Sequence, residues 1–146
     1  MKKHKYINLY KELQQNLYNF LVFFSRSIFF IYAYFWLIKK GKIEYSSMND
    51  ILKLFYFDFL RIEEKDVEIV KISHKELVTR CRNPCPILKI ANYFNLDTRD
   101  FCKRVSEPVC KYVLRKIDKN ILFERNYNHI RPYKDSCEEK IELISN

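Results

Sequence analysis

The sequence predicts an α+β domain, with two N-terminal helices followed by a β-β-α-α-β-β unit whose four strands form one antiparallel sheet. Three observations carry this reading. An almost uninterrupted apolar run fills Phe20 to Ile38, β-branched residues cluster on both sides of Ser73-His74-Lys75, and alternating apolar positions return after Ile121. Lys5 to Asn19 mixes Tyr, Leu, Lys, Glu and Gln in an order compatible with a helix. The apolar run follows it, and Lys39, Lys40 and Lys42 close it. Ser46 to Leu60 reads as the second helix, with Ser46 or Ser47 as its cap, Asp50 three residues after Ser47, and an apolar stripe through Ile51, Leu52, Leu54, Phe55 and Phe59. The charged segment Arg61 to Asp66 then separates an N-terminal helical region, residues 1–60, from a cysteine-containing region, residues 66–146. The two are expected to form one compact domain.

Val67 to Ile72 and Glu76 to Cys81 read as a β-hairpin. Pro86 to Phe94 is a short helix, because proline favours the first helical position, and Cys85 becomes its N-cap. Asp97-Thr98-Arg99-Asp100 caps another helix, which carries Cys102 and is expected to bend or restart near Pro108. Ile121 to Ile130 is a strand and Cys137 to Ile144 its hairpin partner, joined by a turn over Arg131 to Asp135. Alternation places Ile121, Phe123, Tyr127 and His129 on one face, and Cys137, Ile141 and Leu143 on the facing one. The register that turns both faces to one core sets His129 opposite Cys137.

Composition excludes several chemistries. A chain of 146 residues has room for one core. Its single glycine, Gly41, leaves no material for phosphate-cradling loops, Rossmann fingerprints or serine-hydrolase elbows, each of which needs glycines close together. The net charge of +9, from 27 Lys and Arg against 18 Asp and Glu, is concentrated at the N-terminal end. Lys2, Lys3, Lys5 and Lys11 form a basic arm able to attract phosphate on nucleic acid or anionic lipid. Nucleic acid is nevertheless not the expected partner: no helix-turn-helix, zinc-finger or RNA-binding signature is present, and Asp135, Glu138, Glu139 and Glu142 would repel a phosphate backbone.

The apolar run admits two settings. It has the length of a membrane span, about 20 residues. Arg26 within it carries an insertion cost of about 2.5–3.5 kcal/mol, and Tyr32, Tyr34 and Trp36 do not form two interfacial belts. Phe20 to Ile38 is therefore read either as a helix buried in the core or in a homo-oligomer, or as a transmembrane or in-plane anchor.

Five cysteines, Cys81, Cys85, Cys102, Cys110 and Cys137, are the residues that can carry chemistry. No small-residue cleavage site follows the apolar run, so reduced thiols in the cytoplasm are expected. Cys85, at a helix N-cap, faces unpaired N–H groups and the positive end of the helix dipole, a setting for a nucleophile or a soft metal ligand. Cys81, Cys85, Cys102 and Cys137 supply enough thiolates for zinc or an iron–sulfur cluster, with His129 as a further ligand. Without metal, Cys85 needs a base within hydrogen-bond reach, for which His129 is the candidate. His74 falls in a turn and His4 in the N-terminal tail. Arg125 and Arg131 are candidates for clamping a carboxylate substrate.

The order Arg82-Asn83-Pro84-Cys85-Pro86, the helix through Ala91 to Leu96, Cys102, then Leu122-Phe123-Glu124-Arg125 and Asp135-Ser136-Cys137-Glu138 resembles the C-terminal half of the L-2-amino-thiazoline-4-carboxylic acid hydrolase-like family. The resemblance covers about residues 66 to 144. It implies hydrolytic opening of a small cyclic C–N substrate, with Cys85, Cys102 and Cys137 on the family's landmarks and Cys81 and Cys110 outside them. The chain departs from the pattern in Glu138-Glu139, in Ile130-Arg131-Pro132 where a glycine is usual, and in its Phe- and Tyr-rich N-terminal half. The same organisation is similar to vinyl-reductase-like small-molecule-binding domains, in which cysteines can hold a metal. Three functions follow as expectations: a cytoplasmic hydrolase-like or small-molecule-binding domain, a non-enzymatic metal or ligand sensor, and a membrane-anchored protein with one span at about 20–38.

Overall fold

The computed structural model describes residues 2–144, with side chains from Tyr6 onward, so the side chains of Lys2, Lys3, His4 and Lys5 lie outside the described residues. The first element is one helix, α1 (Lys2–Lys40), which joins the mixed segment and the apolar run without a break. Gly41 ends it at φ +63, donating its N–H to the Leu37 carbonyl at 3.0 Å. Only glycine adopts that left-handed backbone without steric cost, and this is where the chain spends its one glycine.

Helix α2 (Met48–Leu52) starts at Ser47, whose side chain and Asp50 form a reciprocal capping box. Backbone and hydroxyl donors of Ser46, then those of Ser47, hold the Asp50 carboxyl down to about 2. A folded-state value below the unfolded one means that this contribution is present above about pH 4 and is lost as pH falls toward 2. Asp50→Asn is accordingly expected to lower the thermal midpoint at neutral pH and to flatten its decline between pH 4 and 2. Circular dichroism melts across that range measure it, and parallel curves for the two proteins would refute it.

The second helix then widens into a π-helix, Lys53–Phe59, in which the Leu60 N–H reaches the Phe55 carbonyl. Phe55, Tyr56 and Phe59 are all fully buried there. A single 3-10 turn, Glu64–Asp66, leads into β1 (Val67–Ile72), which pairs with β2 (Glu76–Cys81). Helix α3 (Pro86–Tyr93) has Cys85 as N-cap, and α4 (Thr98–Ile117) is capped by the Asp97 side chain. Pro108 neither breaks nor restarts α4. Val105, Val109 and Val113 are buried at helical spacing on both sides of it, so packing holds the two halves in line.

Strand β3 (Ile121–Arg125) is shorter than expected. The Asn126 side chain accepts the Asn128 N–H at 3.1 Å and its carbonyl accepts the His129 N–H at 2.9 Å, a local turn that competes with the ladder. Strand β4 (Cys137–Leu143) pairs with β3 in the register Phe123↔Ile141 and Arg125↔Glu139, and with β2 in the register Cys81↔Cys137. His129 is thus off the ladder, with only its carbonyl taking the Glu138 N–H at 2.9 Å.

The architecture is α+β with a four-stranded antiparallel sheet in the order β1-β2-β4-β3. Helix α4 and the π-helix meet the sheet, and α1 lies outside them. One apolar cluster joins Ala33 and Trp36 of α1 to Phe55 and Phe59, then to Val109, Val113, Leu77, Phe123 and Ile141. The opposite face of α1 stays uncovered. By length and composition α1 is able to cross a membrane, with 28% of its most apolar window buried inside the fold.

Candidate functional site

The sequence candidates gather at the end of the sheet where β2 stops and β4 begins, and they divide into a buried polar knot and an open cleft above it. The knot grows from strand alternation. Arg125 and Glu139 sit directly opposite each other on the inward face, and Glu139 Oε1 accepts from Arg125 Nε at 3.0 Å and Nη2 at 2.5 Å. Their side chains are only 7% and 6% exposed. Arg125 Nη1 also donates to Ser106 Oγ at 2.6 Å, and that hydroxyl donates to the Cys102 carbonyl one turn back on α4. Burial alone would lower the guanidinium's pKa, but the Glu139 carboxylate and the surrounding thiols hold it well above its usual value. Arg125, one of the two arginines considered for clamping a substrate carboxylate, is thus buried and already paired with Glu139.

Tyr56 of the π-helix closes the knot from the other side. Its phenol accepts from Thr79 Oγ1 at 2.8 Å, and burial, followed by the charge of Glu139, pushes its pKa well up. Three thiols line this interior. Burial pushes Cys102 and Cys110 up to about 12 against the opposing pull of Arg125, and burial with the Glu139 charge drives Cys81 up as well. Such thiols are protonated at neutral pH and poor nucleophiles. All five cysteines are free, and among the described residues no three Cys, His, Asp or Glu side chains form a group able to hold a metal ion. The tetrad Cys81, Cys85, Cys102 and Cys137 thus shares one end of the fold without forming a ligand set for zinc or an iron–sulfur cluster.

The cleft has a volume of about 490 Å³, and its lining includes Cys85, Arg82, Asn83, Leu88, Lys89 and Arg131 together with Glu63, Lys65 and Asp66. Cys85, half-buried, caps α3 through its backbone, whereas its thiol makes no capping bond. Lys89, one turn later, lies on the same face of that helix. Arg131 organises the wall. Its Nη1 donates to the Asn83 carbonyl at 2.6 Å, while its Nε and backbone N–H donate to Cys137 Sγ at 3.4 and 3.5 Å. Arg82 is neutralised by Glu68 and Asp135, and Lys65 by Glu63. No carboxylate pairs with Lys89 or Arg131 among the described residues.

His129 does not enter this cleft. Its Nε2 lies 2.9 Å from Ser136 Oγ and 3.5 Å from Asp135 Oδ1, and among the described residues no hydrogen bond joins it to Cys85. The early end of β3 explains this, because the turn at Asn126 takes the histidine out of the strand. A larger groove, about 570 Å³, lies between α1 and Phe94 to Asp97, but it contains none of the cysteines and its Tyr18 hydroxyl is already bonded to Asp100.

No protein-family model, curated protein or solved structure matches this chain. The site is therefore read from its own chemistry. Sequence reasoning passed over Glu139, although it has the parity of Ile141, and Lys89, although it stands four residues after Cys85. Tyr56 carried no local signal, since its place in the knot depends on how the π-helix meets the sheet.

Proposed function

We propose that the chain is a cytoplasmic, hydrolase-like domain that binds a small anionic molecule at the Cys85 cleft and presents the Cys85 thiol to an electrophilic carbon of that ligand. The observation that carries this is the pairing of an accessible thiol with two cations, Lys89 and Arg131, that no carboxylate neutralises among the described residues. An anionic group seated between them sits beside the sulfur at the N-terminus of α3, where the helix dipole adds to its attraction. A carboxylate on a small cyclic C–N compound, the substrate class suggested by the landmarks around Cys85, Cys102 and Cys137, has this character. His129 has no part in the proposal, since its Nε2 faces Ser136 and Asp135.

Alkylation with paired reagents tests it without a known substrate. Iodoacetate and iodoacetamide differ in charge, so their rate ratio at Cys85 reads the local potential. Cys85 is expected to favour iodoacetate roughly fivefold more than a free cysteine does, about 1 kcal/mol, with the preference lost in Lys89→Ala and at high salt. Cys102 and Cys110 stay unmodified in the folded protein. A rate ratio at Cys85 equal to that of free cysteine would refute the anion site.

A further inference from the structure

The face of α1 turned away from the domain carries a second pattern, which its packing onto α4 does not use. Tyr6, Tyr10, Leu13 and Leu17 alternate spacings of four and three residues, and Phe20, Phe24, Ser27, Ile31, Tyr34 and Ile38 continue the series without a slip. This is a heptad seam with a period of 3.5 residues. The positions that face the domain, Val22, Ser25, Ala33 and Trp36, belong to a different stripe of the same helix and are buried. Apart from Ser27, every seam residue is exposed, between 48% and 70% of its surface.

We infer that this seam is closed by α1 of a second copy of the chain, forming a two-stranded coiled coil along the outer face. The exposed area is adequate for it. Nine large side chains with about half of some 200 Å² each to bury give roughly 900 Å² per copy, so about 1,800 Å² for the pair, the size of a stable interface. The period is the second argument. A 3.5-residue repeat held from Tyr6 to Ile38 meets a supercoiling partner helix along its whole length, whereas a bilayer imposes no such register. Length is the third. The seam runs for about 48 Å, well beyond the roughly 30 Å of a hydrocarbon core. Its first half is also interleaved with exposed Lys11, Glu12, Gln14 and Gln15. Phe23, Ile28 and Phe35, exposed beside the seam in its second half, broaden the contact where α1 is backed by the domain.

Sedimentation velocity of the full chain, in reducing buffer without detergent, decides between the occupants. The expected species has twice the 18.0 kDa chain mass. Leu17→Glu combined with Phe24→Glu is expected to return it to a single chain with an unchanged circular dichroism spectrum, because both side chains are exposed in the isolated fold. Lys11→Glu, a charge change off the seam, is expected to leave the dimer intact. A wild-type protein that sediments as a single chain at tens of micromolar would overturn the inference whatever the variants do. So would single chains that float with phosphatidylglycerol-containing vesicles, since the bilayer would then be the occupant of this face.

Discussion

Truncating Glu139 to alanine is expected to cost about 3–5 kcal/mol, enough to bring a domain of ordinary stability close to unfolding. The reason lies in what remains. Arg125 would keep its buried position with Ser106 as its surviving hydrogen-bond partner and no counter-charge, and an unpaired buried cation is among the costliest defects a core can hold. The pair itself is a different matter. Glu139 Oε2 is buried, and the Tyr56 phenol beside it is the remaining donor of the knot. Replacing both members, Arg125→Met with Glu139→Leu, is expected to recover most of the loss or to exceed wild type by about 1–4 kcal/mol. Urea unfolding followed by the fluorescence of the single tryptophan measures both variants, with an unchanged slope confirming that stability alone has moved. A single-variant cost below about 1 kcal/mol would mean that water reaches Arg125 and that the pair is not isolated from solvent.

That pair also marks the boundary between what local sequence reveals and what it conceals. Local chemistry was readable wherever one short segment sufficed. Ser47 with Asp50, Cys85 before Pro86, and Asp97 before Thr98 all cap the helices they were expected to cap. The first hairpin falls at Val67–Ile72 and Glu76–Cys81, as its β-branched runs indicate. Parity held more information than was taken from it. Arg125 continues Ile121 and Phe123, and Glu139 continues Ile141, so two opposite charges on facing inward positions announced a buried pair. The turn at Asn126 was harder to see, because alternation runs on through Tyr127 and His129 while the Asn126 side chain ends the ladder. Juxtapositions across the chain were not legible at all. That Cys81 faces Cys137 follows from the pairing of β2 with β4, and that Arg131 braces Asn83 follows from the placement of the β3–β4 connection against the turn before α3.

Phe59→Ala is the other substitution with a large expected effect, about 3–5 kcal/mol, and its cost should fall mainly on the seating of α1. Phe59 is fully buried at the end of the π-helix. Its ring stacks on Phe29 at 5.7 Å and on Tyr32 at 5.5 Å, meets Trp36 at 5.2 Å, and touches Phe55 at 5.8 Å. Three of these four partners belong to α1, and the Tyr32 hydroxyl also donates to the Phe59 carbonyl at 2.6 Å. Removing the ring therefore leaves a cavity walled on one side by the helix and on the other by the core. The helix is the wall that can move, since its far face has no support from its own domain. Hydrogen exchange should show the amides of residues 25–38 losing protection before those of β2 and β4, and the Trp36 emission should shift to longer wavelength under native conditions. Phe59→Leu, which refills most of the volume, is expected to cost less than half as much. Equal loss of protection in α1 and in the sheet would show instead that helix and sheet unfold as one unit, and that the outer position of α1 confers no independence on it.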